Sequence, residues 1–293
     1  SVLILGGAAN GVALARNFGR VGITVRAAGG KGCLAQYSRF CTKAYRWADQ
    51  NSQQEFWHEL LIENPKVELL ASFIFALCDD SIEFVEKYKS ELSQRYLLED
   101  FNAELRGEML DKKATLVRAR AAGLDTPKFW SVETVADLQA IKGEVTFPAM
   151  VKPIHSHVFI PIFGQKLFII ESDWEELVEK LQLAIDKNCK VMVVEMVPGP
   201  DSLLSSYYTY INSENRSLFH YTKRVIRRFP VNRGGTSYHE SKWLPETAEA
   251  GKKFFTAISW RGMGNIEFKR DVRDGKLKVI EVNPRFTDAH RMI

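Results

Sequence analysis

Constraint on the fold is strongest near the C-terminus, where Gly264-Asn265-Ile266-Glu267-Phe268-Lys269 and Lys276-Leu277-Lys278-Val279-Ile280-Glu281-Val282-Asn283 flank the turn-forming pair Asp274-Gly275. Side chains alternate across a strand, so Asn265 and Glu267 share one face of the first segment, and Glu281 and Asn283 share one face of the second. A two-residue Asp274-Gly275 loop would pair Glu267 with Val282 and send Glu281 to the opposite side. A three-residue Arg273-Asp274-Gly275 loop, with Gly275 left-handed as a bulge, pairs Val272 with Lys276 and therefore Glu267 with Glu281. The second register is the one expected.

Two carboxylates directly opposite on a hairpin repel, and a divalent cation removes that objection. Glu267, Glu281 and the Asn283 amide offer hard oxygen donors suited to Mg2+ or Mn2+, with the remaining positions left for water and substrate phosphates. A solvated edge hairpin is the competing reading. It accounts for Lys276 and Lys278, but less readily for acids that alternate with Ile266, Phe268, Ile280 and Val282.

At 293 residues, 45% hydrophobic and 26% charged, the composition is that of a globular chain with room for two or three structural units. No apolar run approaches the ~20 residues that a spanning helix needs, so no membrane role is expected. A net charge of +4 is too small to argue for nucleic acid, though it suits anionic ligands. Cys33, Cys41, Cys78 and Cys189 form no C-x-x-C pair and no zinc spacing; free thiols in a cytoplasmic protein are expected. Because Ser1-Val2-Leu3-Ile4-Leu5-Gly6-Gly7 leads directly into a strand and turn, no signal peptide is expected. The missing Met suggests residues before Ser1, and the short stretch after Arg285 suggests a further element beyond Ile293.

Residues 1 to about 100 alternate strand and helix: Val2–Leu5, a helix from Asn10, Ile23–Ala27, a helix near Gln53–Glu63, Val67–Leu77 and a helix from Ser81. This is the rhythm of an α/β unit with a parallel sheet. Gly6-Gly7-Ala8-Ala9-Asn10-Gly11 opens the first helix without satisfying G-x-G-x-x-G, and no acid ends the second strand. A Gly-rich packing turn is the preferred reading, and an NAD-dependent oxidoreductase would leave the C-terminal acids unused. A second unit opens near Glu108, with a helix from Lys112 to Ala122 that Gly123 and Pro127 terminate. Strands follow at Thr146–Pro153, Lys166–Ile170 and Val191–Val197, with a helix capped by Ser172 between the last two. Leu203–Ile211 and Ser217–Arg228 read as paired antiparallel strands, giving the C-terminal half an α+β character. Three units result, at 1–105, 106–194 and 195–293.

Lys152 ends a buried strand, so its ammonium is expected to face a cleft, where a lysine serves phosphate as a point charge. In Tyr221 to Arg228, alternation puts Lys223, Val225 and Arg227 on one face and Arg224, Ile226 and Arg228 on the other; a solvated strand edge is the alternative.

Glu267, Glu281-x-Asn283 and Pro284-Arg285, with the full string Glu281-Val282-Asn283-Pro284-Arg285-Phe286, resemble the metal-binding end of the ATP-grasp ligases. The resemblance implies a Rossmann-like N-terminal domain followed by a two-lobed ATP-grasp fold. It implies phosphate-side lysines at Lys112 and Lys152, and an adenine edge read by the backbone of Glu195, Met196 and Val197. Asp201 would meet the ribose hydroxyls, and Lys223 and Arg227 would face ATP and an acidic substrate. Arg285 and Lys152 would stabilise charge in transfer. The chain departs from the family at His155 to Gly164, where many members carry a glycine-rich lid and this one has a single glycine; Ser156 is the donor left for a phosphate. His155 and His157, at strand spacing, are read as ordinary loop residues.

Within the superfamily the chain looks most like carbamoyl-phosphate-synthase-like proteins that act as carboxylate–amine ligases, near amino-acid ligases such as D-aspartate ligase. The implied reaction uses ATP and Mg2+, passes through an acylphosphate, joins small amino-acid-like carboxylate and amine substrates, and releases ADP and phosphate. A homodimer is an expected assembly. An ATP-binding regulator or scaffold without turnover, and a biotin-carboxylase-type enzyme, are the alternatives.

Overall fold

The computed structural model describes residues 1–48, 52–231 and 234–289, and of Ser156 and His157 the backbone alone. Three sheets follow one another along the chain. The first holds β1 (Val2–Leu5), β2 (Val25–Gly29), β3 (Cys41–Arg46) and β4 (Phe73–Ala76) in the order β3-β2-β1-β4, all parallel. Val2 to Leu5 are buried on both faces, which is why β1 reads as an unbroken apolar run. β3 falls at Cys41-Thr42-Lys43-Ala44-Tyr45-Arg46, too polar for its strand to show in the sequence. The strand expected over Val67–Leu77 is limited to β4, preceded by a short 3-10 turn at Val67–Leu69.

The second sheet holds β5 (Phe129–Ser131), β6 (Ala149–Pro153), β7 (Phe168–Ile170) and β8 (Val191–Glu195), antiparallel in the order β5-β8-β6-β7. The helix Trp174–Asp186 lays Leu177, Leu181 and Ala184 against Val151, Ile170 and Val193. Its cap is Asp173, whose side chain accepts the Glu175 amide at 2.9 Å, one residue after the Ser172 expected.

The third sheet holds β9 (Leu204–Ile211), β10 (Ser217–Phe229), β11 (Gly235–Ser241), β12 (Gly262–Arg270) and β13 (Leu277–Asn283), antiparallel in the order β11-β10-β9-β12-β13. β11 is a polar strand that no apolar pattern marks in the sequence. The helices Lys112–Ala121 and Pro245–Ala257 share a core with this sheet, built on Leu116, Ala119, Phe254, Ile266, Phe268 and Val279. Gly251 sets the closest approach: a Cβ there would lie 2.4 Å from the Tyr207 ring. Among the described residues no helix is long and apolar enough to cross a membrane.

Arg106, 4% exposed, stands between Glu99 of the first unit and Pro284 of the third. Its Nε donates to the Pro284 carbonyl at 3.1 Å and its Nη1 lies 3.4 Å from Glu99, while Glu99 accepts the Met263 amide at 2.7 Å. Burial pushes the neighbouring Glu86 carboxyl up to about 8, against the opposing charge of Arg106. An acid whose folded pKa lies above its unfolded value contributes stability below the unfolded value and loses it as pH rises through the folded one. Chemical-denaturation midpoints are therefore expected to fall between about pH 5 and pH 8, and Glu86→Gln is expected to flatten that slope; an unchanged slope in the variant would assign it to other groups.

Candidate functional site

Glu267 stands directly across the ladder from Glu281, and Asn265 across from Asn283. The pairing is the expected one, but the turn does not produce it. From Arg270↔Leu277 to Phe268↔Val279 the strands run one residue out of that register, and a bulge between Glu267 and Phe268 restores it. The turn itself spans Val272 to Gly275: the Asp271 N–H donates to Lys276 O at 2.9 Å, the Gly275 N–H donates to Asp271 O at 2.9 Å, and Gly275 has φ +71°. The extra residue is Ile280, which has no partner across the ladder. Such a bulge turns one strand locally, so Val279 and Val282, three apart, both enter the core with Ile266 and Phe268. The Ile280 carbonyl accepts Lys152 Nζ at 3.1 Å.

The two facing acids are held differently. Burial pushes Glu267 up; Lys223, Arg228 and Lys166 oppose this, and the negative charge of Glu281 adds to it. Burial also acts on Glu281, but Lys152, Lys112, the Asn283 side chain and Lys166 together hold its carboxyl below the ordinary value. Asn283 bridges Glu281 and Asn265, donating to each at 3.2 Å. Burial brings Lys152 down to about 8, and it also lowers Lys112; Glu281 pulls both the other way. Lys112 donates to the Ile154 carbonyl at 3.5 Å. Lys223 is buried, with its ammonium 5.7 Å from the centre of the Tyr208 ring.

Two half-buried carboxylates facing each other, an amide oxygen beside them and lysines set back from them fit a hard divalent cation. Among the described residues no three Cys, His, Asp or Glu side chains gather. A cation here would draw on two acids, an amide and oxygens brought by substrate or water, the pattern of magnesium sites that serve phosphates.

Lys112, Lys223, Glu267, Glu281, Asn283 and Arg285 line one cleft of about 660 Å³. Its opposite wall comes from the N-terminal unit and includes Gly6, Gly7, Asn10 and Asp79. Gly6, at φ +65°, admits no side chain, since a Cβ would sit 2.4 Å from Cys78 Sγ. Arg285 crosses to this wall, its Nε and Nη2 lying 3.1 and 2.9 Å from Asp79 Oδ1. Asn10 fastens the segment after Arg285: its Nδ2 donates to Leu77 O and Phe286 O, and its backbone N–H donates to Asp288. Asp79, Asn10 and Arg106 were invisible as site residues, because they lie far along the chain from the hairpin and form no motif with it.

The segment Glu195 to Val197 and Asp201 lie apart from that cleft's lining, at the turn end of the hairpin. Glu195 is buried and paired with Arg273 Nη1 at 2.6 Å. Arg273 is also held by Asp271, which Lys278 neutralises at 2.6 Å. Asp201 is buried against Arg228, whose Nε and Nη2 lie 2.9 and 2.7 Å away. Asp271 lies four residue steps from Glu267, roughly 13 Å at the rise of a β-strand, a span that an extended nucleoside triphosphate covers.

Two expectations are corrected. Register shifts on either side of Arg227 break the alternation of β10; Arg227 is exposed, and Arg228 instead turns inward to Asp201. The stretch after His155 is a helix, Ser156–Phe163, closed by Gly164 at φ +67°, so the strand spacing of His155 and His157 does not exist. The role expected of the Ser156 side chain lies outside the described residues.

No family model matches the chain. D-aspartate ligase of Enterococcus faecium (strain Aus0004) is 22% identical, over 73% of this chain and 53% of the relative; the chain spans about half the length of that curated relative. The ADP complex of purK, an N5-carboxyaminoimidazole ribonucleotide synthetase, superposes with TM-score 0.72 at 12% identity, over 98% of this chain and 70% of that one. L-amino acid ligase from Bacillus licheniformis gives TM-score 0.66 at 17% identity, over 97% and 66%. These neighbours are ATP-grasp ligases, and the chain has the ATP-grasp fold. The architecture read from the C-terminal motif is borne out.

If Glu267 and Glu281 hold a divalent cation, millimolar Mg2+ or Mn2+ should raise the melting temperature of the wild type and leave that of Glu281→Gln unchanged. An equal rise in both proteins would remove the cation from this site.

Proposed function

We propose that the protein is an ATP- and Mg2+-dependent carboxylate–amine ligase of the amino-acid type, forming a C–N bond through an acylphosphate and releasing ADP and phosphate. The observation that carries this reading is the cleft in which Glu267, Glu281 and Asn283 face Arg285 and are backed by Lys112, Lys152 and Lys223. The names of the proteins it resembles, a D-aspartate ligase and an L-amino acid ligase among them, support the substrate class.

Glu267, Glu281 and Asn283 would hold Mg2+, which supplies charge neutralisation at the phosphates. The rest falls to side chains of the chain. Lys112 and Lys152 approach from the second unit and Lys223 from β10, giving three cations for the phosphates of ATP. The Glu195 carbonyl and Val197 N–H would read the adenine edge, because the Met196 amide is already given to Pro148 O at 3.0 Å. Asp201, oriented by Arg228, is the ribose candidate.

A substrate carboxylate oxygen attacks the γ-phosphorus, and the bond to the β,γ-bridging oxygen breaks to release ADP. The amine nitrogen then attacks the acyl carbon, and the tetrahedral adduct expels phosphate. Arg285, beside both the acids and the N-terminal wall, stabilises charge on the transferred group and on the adduct. No protein nucleophile takes part. Of the three units at 1–105, 106–194 and 195–293, the first presents the acceptor from its wall of the cleft, and the other two enclose the nucleotide.

Glu281→Gln should abolish Mg2+-dependent ATP turnover while leaving the melting curve intact, whereas Arg285→Ala should lower kcat by a factor of a hundred or more with little change in ATP affinity, on the order of an oxyanion donor's worth. Steady-state phosphate release together with calorimetric ATP binding separates these effects. Normal turnover in Glu281→Gln would refute the metal-dependent mechanism, and matched losses in Arg285→Ala would reassign that residue to ground-state binding.

A further inference from the structure

Phe129 pairs with Val194, and in an antiparallel ladder the next residues, Lys128 and Glu195, would exchange two backbone hydrogen bonds. Only one of the two forms. The Glu195 N–H donates to Lys128 O at 2.9 Å, but the Lys128 N–H turns to the Glu195 carboxylate, at 3.0 Å. On the other edge, the Met196 N–H is directed to Pro148 O. Alternation along the extended segment therefore points the Glu195 C=O and the Val197 N–H together, away from β6. An acceptor and a donor two residues apart on one side match the edge of adenine, whose amino group donates and whose adjacent ring nitrogen accepts.

The Glu195 side chain is fixed in this arrangement. It is 4% exposed, paired with Arg273 at 2.6 Å and reached by Thr146 Oγ1 at 3.5 Å. Arg273 is itself anchored to Asp271, at 2.9 Å.

The geometry points to Glu195 as a specificity-determining residue: its carboxylate takes up the Lys128 N–H, so that its own carbonyl is left for the 6-amino group of the nucleotide base. This rests on the ATP reading given above. A base with an oxygen at that position brings no donor and leaves the carbonyl facing another acceptor, and a site built around one hydrogen bond rejects such an analogue. Removing the carboxylate lets the Lys128 N–H close the ladder onto the carbonyl, which takes the acceptor away from the base.

The test is calorimetric binding of ATP and ITP, each with Mg2+, to the full chain. The wild type is expected to favour ATP by about ten-fold. Glu195→Ala should lose most of that preference, and Glu195→Gln, whose amide oxygen still accepts the Lys128 N–H, should keep it. The double variant Glu195→Ala/Lys128→Pro has no N–H at position 128 and should regain the preference. Proline is admissible there because the residue stands at the entry to β5, ahead of its first ladder pair. Where thermal melting shows that Glu195→Ala has not folded, Glu195→Asp serves the same purpose, keeping the charge but falling one methylene short of the Lys128 amide. ATP binding by the wild type with the same ATP-to-ITP ratio in Glu195→Ala or Glu195→Asp overturns this inference alone. A wild type that binds neither nucleotide overturns the ATP reading and this inference with it.

Discussion

Two half-buried carboxylates facing each other across a strand ladder carry a cost that the surrounding structure is arranged to meet. Glu267 and Glu281 repel, and the bulge at Ile280 keeps them in opposition when the register set by the turn would have moved one of them to the core side. The same bulge frees the Ile280 carbonyl for Lys152 and lets Val279 and Val282 bury together. One inserted residue thus connects the packing of the third sheet, the position of a buried lysine from the second, and the separation of the two acids. The charges divide accordingly, with Lys152 and Lys112 acting on Glu281 and Lys223 and Arg228 acting on Glu267.

The N-terminal unit and Arg106 just after it complete this arrangement from a distance in sequence. Arg106 holds the carbonyl just before Arg285, Asn10 holds the carbonyl just after it, and Asp79 receives the guanidinium itself. Arg285 is therefore fixed at its backbone on both sides and at its side chain, the preorganisation that the charge-stabilising role proposed for it would need. At the other end of the hairpin, Arg273 and Lys278 gather on Asp271, and Arg273 reaches the Glu195 carboxylate, so the strand that carries the acids is also tied to the segment proposed to read the base.

Much of this was legible in residue order, for identifiable reasons. Alternation left two registers open for Glu267 and Glu281, and the three-residue loop chosen to set them opposite is not the one that forms; their opposition comes from a bulge inside the strand, which leaves no mark in a pattern of apolar and polar residues. The same limit misplaced Arg227: two register shifts in β10 pass the inward position to Arg228. β3 and β11 are polar edge strands, stabilised by their neighbours rather than by an apolar face of their own, and propensity did not show them. The helix Ser156–Phe163 was missed because its apolar run is short and contains Pro161. Asp79, Asn10 and Arg106 reach the site only through tertiary contact, which no local window contains.

The reaction proposed for this cleft transfers phosphate from ATP to an acid and then joins that acid to an amine. Its most direct test is phosphate release from Mg2+-ATP across a panel of amino acids and small carboxylates, supplied singly and in pairs. Release of ADP and phosphate that depends on a matched acid and amine is the predicted result; tight Mg2+-dependent ATP binding without release under any pairing would contradict it and leave a nucleotide-binding protein without turnover.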